Sequence, residues 1–312
     1  MRTAASLLTI VLLLTTLNSP AQPEAKRANR PRLPEGARVL QNLQYIPNGH
    51  ERHKLDLYRP QQSASPLPLI IWIHGGAWQA GSKENPPAIR FLEQGYAVAS
   101  INYRLSQHAV FPAQILDCKA AVRWLRTHAK DYNLDPVRFG VWGASAGGHL
   151  VALLGTTGDI KDFDTGPNLD VSSEVQAVVD FFGPTDLLNM AAQSGPNSRM
   201  DHDAPNSPES RLIGGALQKH PDLARRANPI TYVSPSDSPM LLVHGDADPL
   251  VPHQQSILLH EELQRAGVAS ELLIVKGGGH GSGFGSEVNA KVTAFFKRYL
   301  IANAKTAPPN AK

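Results

Sequence analysis

The chain is 312 residues long, with 42% hydrophobic and 18% charged residues, which excludes a wholly disordered chain and supplies a core that needs no disulfide or structural metal. Its 30 basic and 27 acidic residues leave a formal charge of +3 spread along the sequence, which excludes a basic tract of the kind that grips nucleic acid. The single cysteine, Cys118, excludes an intramolecular disulfide and any Cys-x-x-Cys zinc or redox motif.

Arg2 and the apolar run Leu7 to Leu17, followed by the small residues of Ser19-Pro20-Ala21, predict a signal peptide over 1–21 with cleavage after Ala21. The run is too short to span a bilayer, so the mature chain is expected to be secreted or periplasmic and free of the membrane. Residues 22–37, rich in Pro, Arg and Ala, predict a disordered linker.

One domain is expected over 38–302. Val39 to Ile46 and Lys54 to Tyr58 predict two strands joined at Asn48-Gly49. Leu67 to Ile73 has the branched apolar content of a strand buried on both faces. Pro86-Pro87 opens a helix through Glu93, stopped by Gly95, and Tyr96 to Asn102 is the next strand. In 112–130, Ile115, Cys118, Val122 and Leu125 recur at helical spacing, with Lys119, Arg123 and Arg126 between them. A strand (137–142), a helix (147–154) and a strand (175–182) follow. Residues 187–229 are irregular, polar and too long for an ordinary loop, which predicts a cap insertion. Strands at 240–244 and 271–275 alternate with helices at 256–265 and 288–300, and 303–312 is a tail. This alternation implies parallel βαβ units, with an antiparallel start where the first two strands lack a helix between them.

Gly143-Ala144-Ser145-Ala146-Gly147 lies between a predicted strand and a predicted helix, the setting in which Gly-x-Ser-x-Gly lifts a serine hydroxyl clear of a sheet. The alternative is a glycine-rich turn without chemistry. His74-Gly75-Gly76-Ala77-Trp78 ends the third strand, where rigid N–H groups of Gly76 and Ala77, with that of Ala146, would hold an oxyanion. His74 itself is read as a structural hydrogen-bonder. A nucleophilic serine needs a base and an orienting carboxylate. His280, presented in Gly277-Gly278-Gly279-His280-Gly281, is the predicted base, and Asp248 is the predicted acid. Asp246 is the alternative acid, read as bracing its loop, while His244 and His149 are nearby histidines without a catalytic role.

The segments NYRLS (102–106), FPAQILDCKAAVRWLR (111–126), VWGASAGGHLVALLG (141–155), DFFGPTDL (180–187) and HGDADPLVP (244–252) resemble the bacterial feruloyl-esterase-like branch of the α/β-hydrolase superfamily. The His-Gly-Gly-x-Trp stretch is also similar to arylformamidases and to the hormone-sensitive-lipase group. The resemblance covers roughly 38–300 and implies an α/β-hydrolase fold, an eight-stranded, mostly parallel sheet flanked by helices with a small cap. It implies serine esterase activity on feruloyl, acetyl or other short acyl esters, small or polysaccharide-linked, with an arylformamidase or a general lipase as the alternatives. Ala77 departs from the third glycine usual in the lipase group but keeps its N–H.

No metal, cofactor or nucleic-acid partner is expected: His-Glu-x-x-His, a phosphate loop and a dinucleotide pattern are missing from the sequence. Asp201-His202-Asp203 is read as a solvated part of the cap. Trp78 and Phe284 are the candidate substrate-binding aromatics, with Met190 beside them; for Trp78, packing beneath the oxyanion loop is the favoured reading.

Overall fold

The computed structural model describes residues 33–302. The predicted signal peptide, most of the predicted linker and the predicted tail lie outside the described residues.

Eight strands form one sheet: β1 Arg38–Gln44, β2 Lys54–Arg59, β3 Leu67–Ile73, β4 Ala97–Ile101, β5 Leu134–Ala144, β6 Ala177–Phe181, β7 Met240–Gly245 and β8 Ser270–Val275. Their order is β1-β2-β4-β3-β5-β6-β7-β8. β2 pairs antiparallel with β1 and with β4, and every later pairing is parallel. The turn after β1 carries Asn48 at φ 55°, a left-handed conformation that asparagine tolerates better than most residues.

The pleat of β3 divides the core in two. Leu69, Ile71 and Ile73 join a cluster with α1 (Ala113–Thr127), α2 (Ala146–Thr156) and, farther along the sheet, α6 (Gln254–Arg265). Ile70 and Trp72 face the opposite cluster, built with a 3-10 helix at Pro87–Gln94 and with α7 (Ser286–Phe296). Helices on both faces explain why β3 is buried along its whole length.

Two local expectations change. The segment after Pro86 winds as a 3-10 helix, not an α-helix, and still stops at Gly95, which sits at φ 82°. In α1, the apolar stripe packs as expected, but Lys119 and Arg123 are also buried. The segment that follows α2 covers them: Lys119 Nζ donates to Thr157 O (2.6 Å) and Ile160 O (3.2 Å), and both cations pair with Asp164. Hydrogen bonding satisfies these buried charges where solvent would otherwise have been needed.

The cap contains a 3-10 turn at Leu187–Asn189, then α3 (Met190–Gln193), α4 (Pro208–Ile213), another 3-10 turn and α5 (Pro221–Ala227). Among the described residues no helix is long and apolar enough to cross a membrane.

Candidate active site

The loops that carry the chemistry leave the C-terminal ends of the parallel strands, the usual ligand edge of such sheets. Strand order brings them together. β3 and β5 are neighbours, as are β7 and β8, and β6 separates the two pairs.

Ser145 joins β5 to α2 at φ 57°, ψ −124°, a conformation that costs a non-glycine residue energy and must be held by its surroundings. Its N–H donates to Phe181 O on β6 (2.8 Å), and its carbonyl accepts from His149 N–H in α2 (3.0 Å). A Cβ at Gly143 would lie closer than 3.0 Å to Gly147 O, and one at Gly147 equally close to Ile73 O. The two flanking glycines are therefore required by backbone approach.

The loop after β3 abuts this turn: a Cβ at Gly75 would lie 3.2 Å from Ser145 Cβ. Ala77 and Trp78 both take positive φ, 54° and 56°. Gly76 O accepts from Gln79 and Ala80 N–H, each at 2.9 Å, closing a tight turn. Among the described residues the Ala77 N–H has no hydrogen-bond acceptor, and the N–H of Ala146, the first residue of α2, lacks a preceding helical turn to bond. Ala77 and Ala146 border the same cavity as Ser145; Gly76 shapes the loop without bordering it.

His280 sits in the loop after β8. Its Nδ1 is 2.7 Å from Asp248 Oδ2, in the loop after β7. The side chain of Asp248 is fully buried, yet its Oδ1 accepts Leu250 N–H (2.8 Å) and Val251 N–H (3.0 Å), and His244 Nε2 stands 3.4 Å from Oδ2. Burial alone would raise its pKa, but the hydrogen bonds from His244, His280 and Leu250 outweigh it and hold the carboxyl well below the usual range. The carboxylate fixes the proton on His280 Nδ1 and leaves Nε2 free to act. Asp246 Oδ1 accepts Gly277 N–H (2.6 Å) and so braces one glycine loop against the other.

The other histidines are engaged elsewhere. His74 stacks on Tyr103 with centroids 4.5 Å apart, and Arg52 Nη2 donates to its Nε2 at 3.1 Å. Burial lowers its pKa to about 4. His149 accepts Trp78 Nε1–H at Nδ1 (3.2 Å) and faces Ala227 O with Nε2 (2.7 Å), again lowered by burial to about 4. Trp78 is only 2% exposed; it packs beneath the loop and gives its ring to the cavity wall.

The cavity, about 130 Å³, is bordered by Ala77, Trp78, Ser145, Ala146, Pro184, Met200, His202, Pro208, Glu209, Leu250, Val251 and His280. It therefore brings Ser145 and His280 together under the cap. Three sequence expectations need correction. Phe284 does not border this cavity; it packs against Phe181 and Phe182, with centroids 5.5 and 5.6 Å away, and reaches the site only through Phe182, whose ring lies 4.4 Å from that of His280. Met190 is fully buried in the core, and the cavity methionine is Met200. His202 is not solvated: it is buried, with Nδ1 3.0 Å from Glu209 Oε1. No local pattern pairs residues seven apart across Ser207-Pro208; only the fold of the cap does so.

One set of potential metal ligands exists away from the site among the described residues, His50, Glu51 and His108. Nδ1 of His50 accepts Arg52 N–H and Nδ1 of His108 accepts Leu105 N–H, so each neutral ring carries its proton on Nε2 and presents a donor, not a ligand.

Residues 55–263 match the BD-FAE family. The chain belongs to that family. Its members' α/β-hydrolase fold is the sheet described above. The chain is 32% identical over 234 residues to esterase LipQ of Mycobacterium tuberculosis, covering 73% of this chain and 53% of that one. It spans about half the length of the curated relatives it matches. A truncated carbohydrate esterase from gut microbiota superimposes with a TM-score of 0.78 at 36% identity, covering 86% of this chain and 98% of the other. An acetyl ester-xyloside bifunctional hydrolase from Caldicellulosiruptor lactoaceticus gives 0.63 at 30% identity, covering 78% and 85%.

Proposed function

We propose that this family member is a serine carboxylic-ester hydrolase acting on short acyl esters of carbohydrates, acetyl esters first. The observation that carries the reading is the His280–Asp248 hydrogen bond at the rim of a cavity that Ser145 enters from a strained turn.

In the proposed cycle His280 Nε2 takes the Ser145 proton as Oγ attacks the ester carbonyl. Asp248 holds the imidazole in the required tautomer and stabilises its cation. The carbonyl oxygen gains the negative charge and is held by the N–H groups of Ala77 and Ala146, each donor worth roughly 3–4 kcal/mol. The C–O bond breaks, His280 returns the proton to the alcohol, and water repeats the sequence on the acyl-serine. The acetyl ester-xyloside relative favours an acetyl group over a feruloyl group; the cavity of about 130 Å³ beside Ser145 adjoins a wider cleft of about 470 Å³ that also borders His280. The two carbohydrate-esterase relatives support the same substrate class. Export to the periplasm or medium is part of the proposal, resting on Arg2, Leu7 to Leu17 and Ser19-Pro20-Ala21.

The test is a hydrolysis panel of p-nitrophenyl acetate, acetylated xylan, methyl ferulate and N-formyl-kynurenine, with a fluorophosphonate probe and mass spectrometry to locate the labelled residue. Turnover of the acetyl esters with the label on Ser145 is expected. Preferential cleavage of N-formyl-kynurenine would select the arylformamidase reading instead.

A further inference from the structure

Strand β6 separates the loop that presents Ser145 from the loops that present Asp248 and His280. The end of β6 and the turn after it, Phe181-Phe182-Gly183, reach all three. Phe181 O accepts Ser145 N–H (2.8 Å). Phe182 N–H donates to Val243 O (2.9 Å), one residue before the His244 that stands against Asp248. The Phe182 ring lies 4.4 Å, centroid to centroid, from that of His280 and 6.2 Å from that of His244. The acyl-transfer cycle assigns this residue no part.

Phe182 also takes φ 44°, a left-handed value that a bulky residue rarely adopts. Such strain persists only where the surroundings over-determine it, and it collects at functional sites. Here the next residue is pressed onto α2: a Cβ at Gly183 would lie 2.5 Å from Gly148 C and from His149 N, and Asp180 Oδ1 accepts Gly183 N–H at 2.9 Å. Phe182 is buried, and Phe181 and Phe284 pack on its ring with centroids 6.1 and 5.6 Å away.

His280 needs a support of this kind. Its side chain is 20% exposed, in a loop where Gly277, Gly281 and Gly283 all take positive φ. Glycine gives the backbone little restraint of its own. The bond from Nδ1 to Asp248 fixes one atom of the imidazole and leaves the ring free to swing about it, whereas proton transfer needs Nε2 aimed at Ser145. The loop also runs past the Phe182 ring: a Cβ at Gly281 would lie 3.2 Å from Phe182 Cζ.

We propose that Phe182 is a positioning residue for the general base. Its ring restrains the His280 imidazole, and its strained backbone, tied to the Ser145 turn on one side and to β7 on the other, sets where that ring stands. The inference rests on the proposed triad and names what that reading leaves open, the contact that fixes the plane of the base. A misplacement of about 1 Å can cost about 10²-fold in rate. His280 serves both halves of the cycle, so acylation and deacylation slow together, and kcat falls while KM is kept.

Phe182→Leu removes the flat ring and keeps an apolar side chain. Phe91→Leu is the control: Phe91 is fully buried in the same aromatic cluster, against Tyr96, Trp142 and Phe296 rather than His280. Phe182→Leu is expected to lose about tenfold to a hundredfold in kcat on p-nitrophenyl acetate, with KM within about twofold of wild type. Phe91→Leu is expected to lower Tm and to hold kcat within about threefold. Proton NMR adds a second readout, the downfield resonance of the hydrogen-bonded His280 Nδ1–H, assigned by its loss in His280→Gln. It is expected to shift or broaden in Phe182→Leu and to stay in place in Phe91→Leu. Normal kcat in folded Phe182→Leu, an equal kcat loss in Phe91→Leu, or a resonance that Phe182→Leu leaves unmoved would overturn the assignment. If Phe182→Leu does not fold, Phe182→Met takes its place, and failure of both to fold would make the ring structural and overturn the positioning role. If the wild type hydrolyses no ester, the esterase reading falls on its own, and the resonance still decides: a change confined to the Phe182 variant supports the restraint, and no change rejects it.

Discussion

His280 Nδ1 and Asp248 Oδ2 stand 2.7 Å apart, although the loops that carry them are separated by 32 residues of sequence. Their meeting follows from the adjacency of β7 and β8, and it governs two of the outcomes expected below.

Ser145→Ala removes the proposed nucleophile. We expect kcat on p-nitrophenyl acetate to fall by about 10⁴-fold or more, with loss of fluorophosphonate labelling. Near-normal turnover would place the nucleophile elsewhere.

Asp248→Asn retains the side-chain shape but accepts the wrong proton pattern from His280. A loss of about 10⁴-fold in kcat is expected in steady-state kinetics. The same substitution tests linkage. A carboxyl lowered in the folded state adds stability that is present above its unfolded value, about 4, and is lost as pH falls through its lower folded value. The Tm gap between wild type and variant should therefore narrow from pH 5 to pH 2. A gap that widens would contradict the depressed carboxyl.

Asp180 has the opposite sign. It is buried at the end of β6, where burial pushes it up to about 7 against a single opposing hydrogen bond from Gly183 N–H (2.9 Å). Between about 4 and 7 the folded chain keeps a proton that the unfolded chain has released. The resulting stability is full below about 4 and is lost as pH rises through about 7. Asp180→Asn keeps the acceptor for Gly183 and removes the titration, so its Tm relative to wild type should climb from pH 4 to pH 8. Thermal melts with a constant difference would refute the raised value.

Gly147→Ala forces a methyl against Ile73 O. The backbone on both sides belongs to the sheet and to α2, so neither yields cheaply. We expect a loss of about 3 kcal/mol or more, read as a Tm drop of about 6 °C or more. An unchanged melting curve would show that the turn is looser than its geometry indicates.

Much of this molecule is written in short-range patterns. The span Leu67–Ile73 is a strand with the predicted bounds because an unbroken branched apolar run suits only a strand covered on both faces. Gly143 is equally local, because a Cβ there would meet Gly147 O four residues on, so the motif alone locates the strained turn at Ser145; Gly147 answers instead to Ile73 O on the neighbouring strand. The chain order of serine, aspartate and histidine likewise names the residues that the loops of β5, β7 and β8 present. Other features depend on what the chain packs against. Lys119 and Arg123 alternate like surface residues, yet Asp164 and the carbonyls around it draw them inside. Phe284 has the chemistry of a pocket aromatic, but Phe181 and Phe182 claim its ring. His202 sits between two exposed aspartates, and only the fold of the cap turns it inward onto Glu209. Sequence specifies what is decided within a strand or a turn, because sterics and periodicity act over a few bonds. Which polar side chain is desolvated, and beside which partner, is settled only by tertiary packing, because burial belongs to the neighbours and not to the residue.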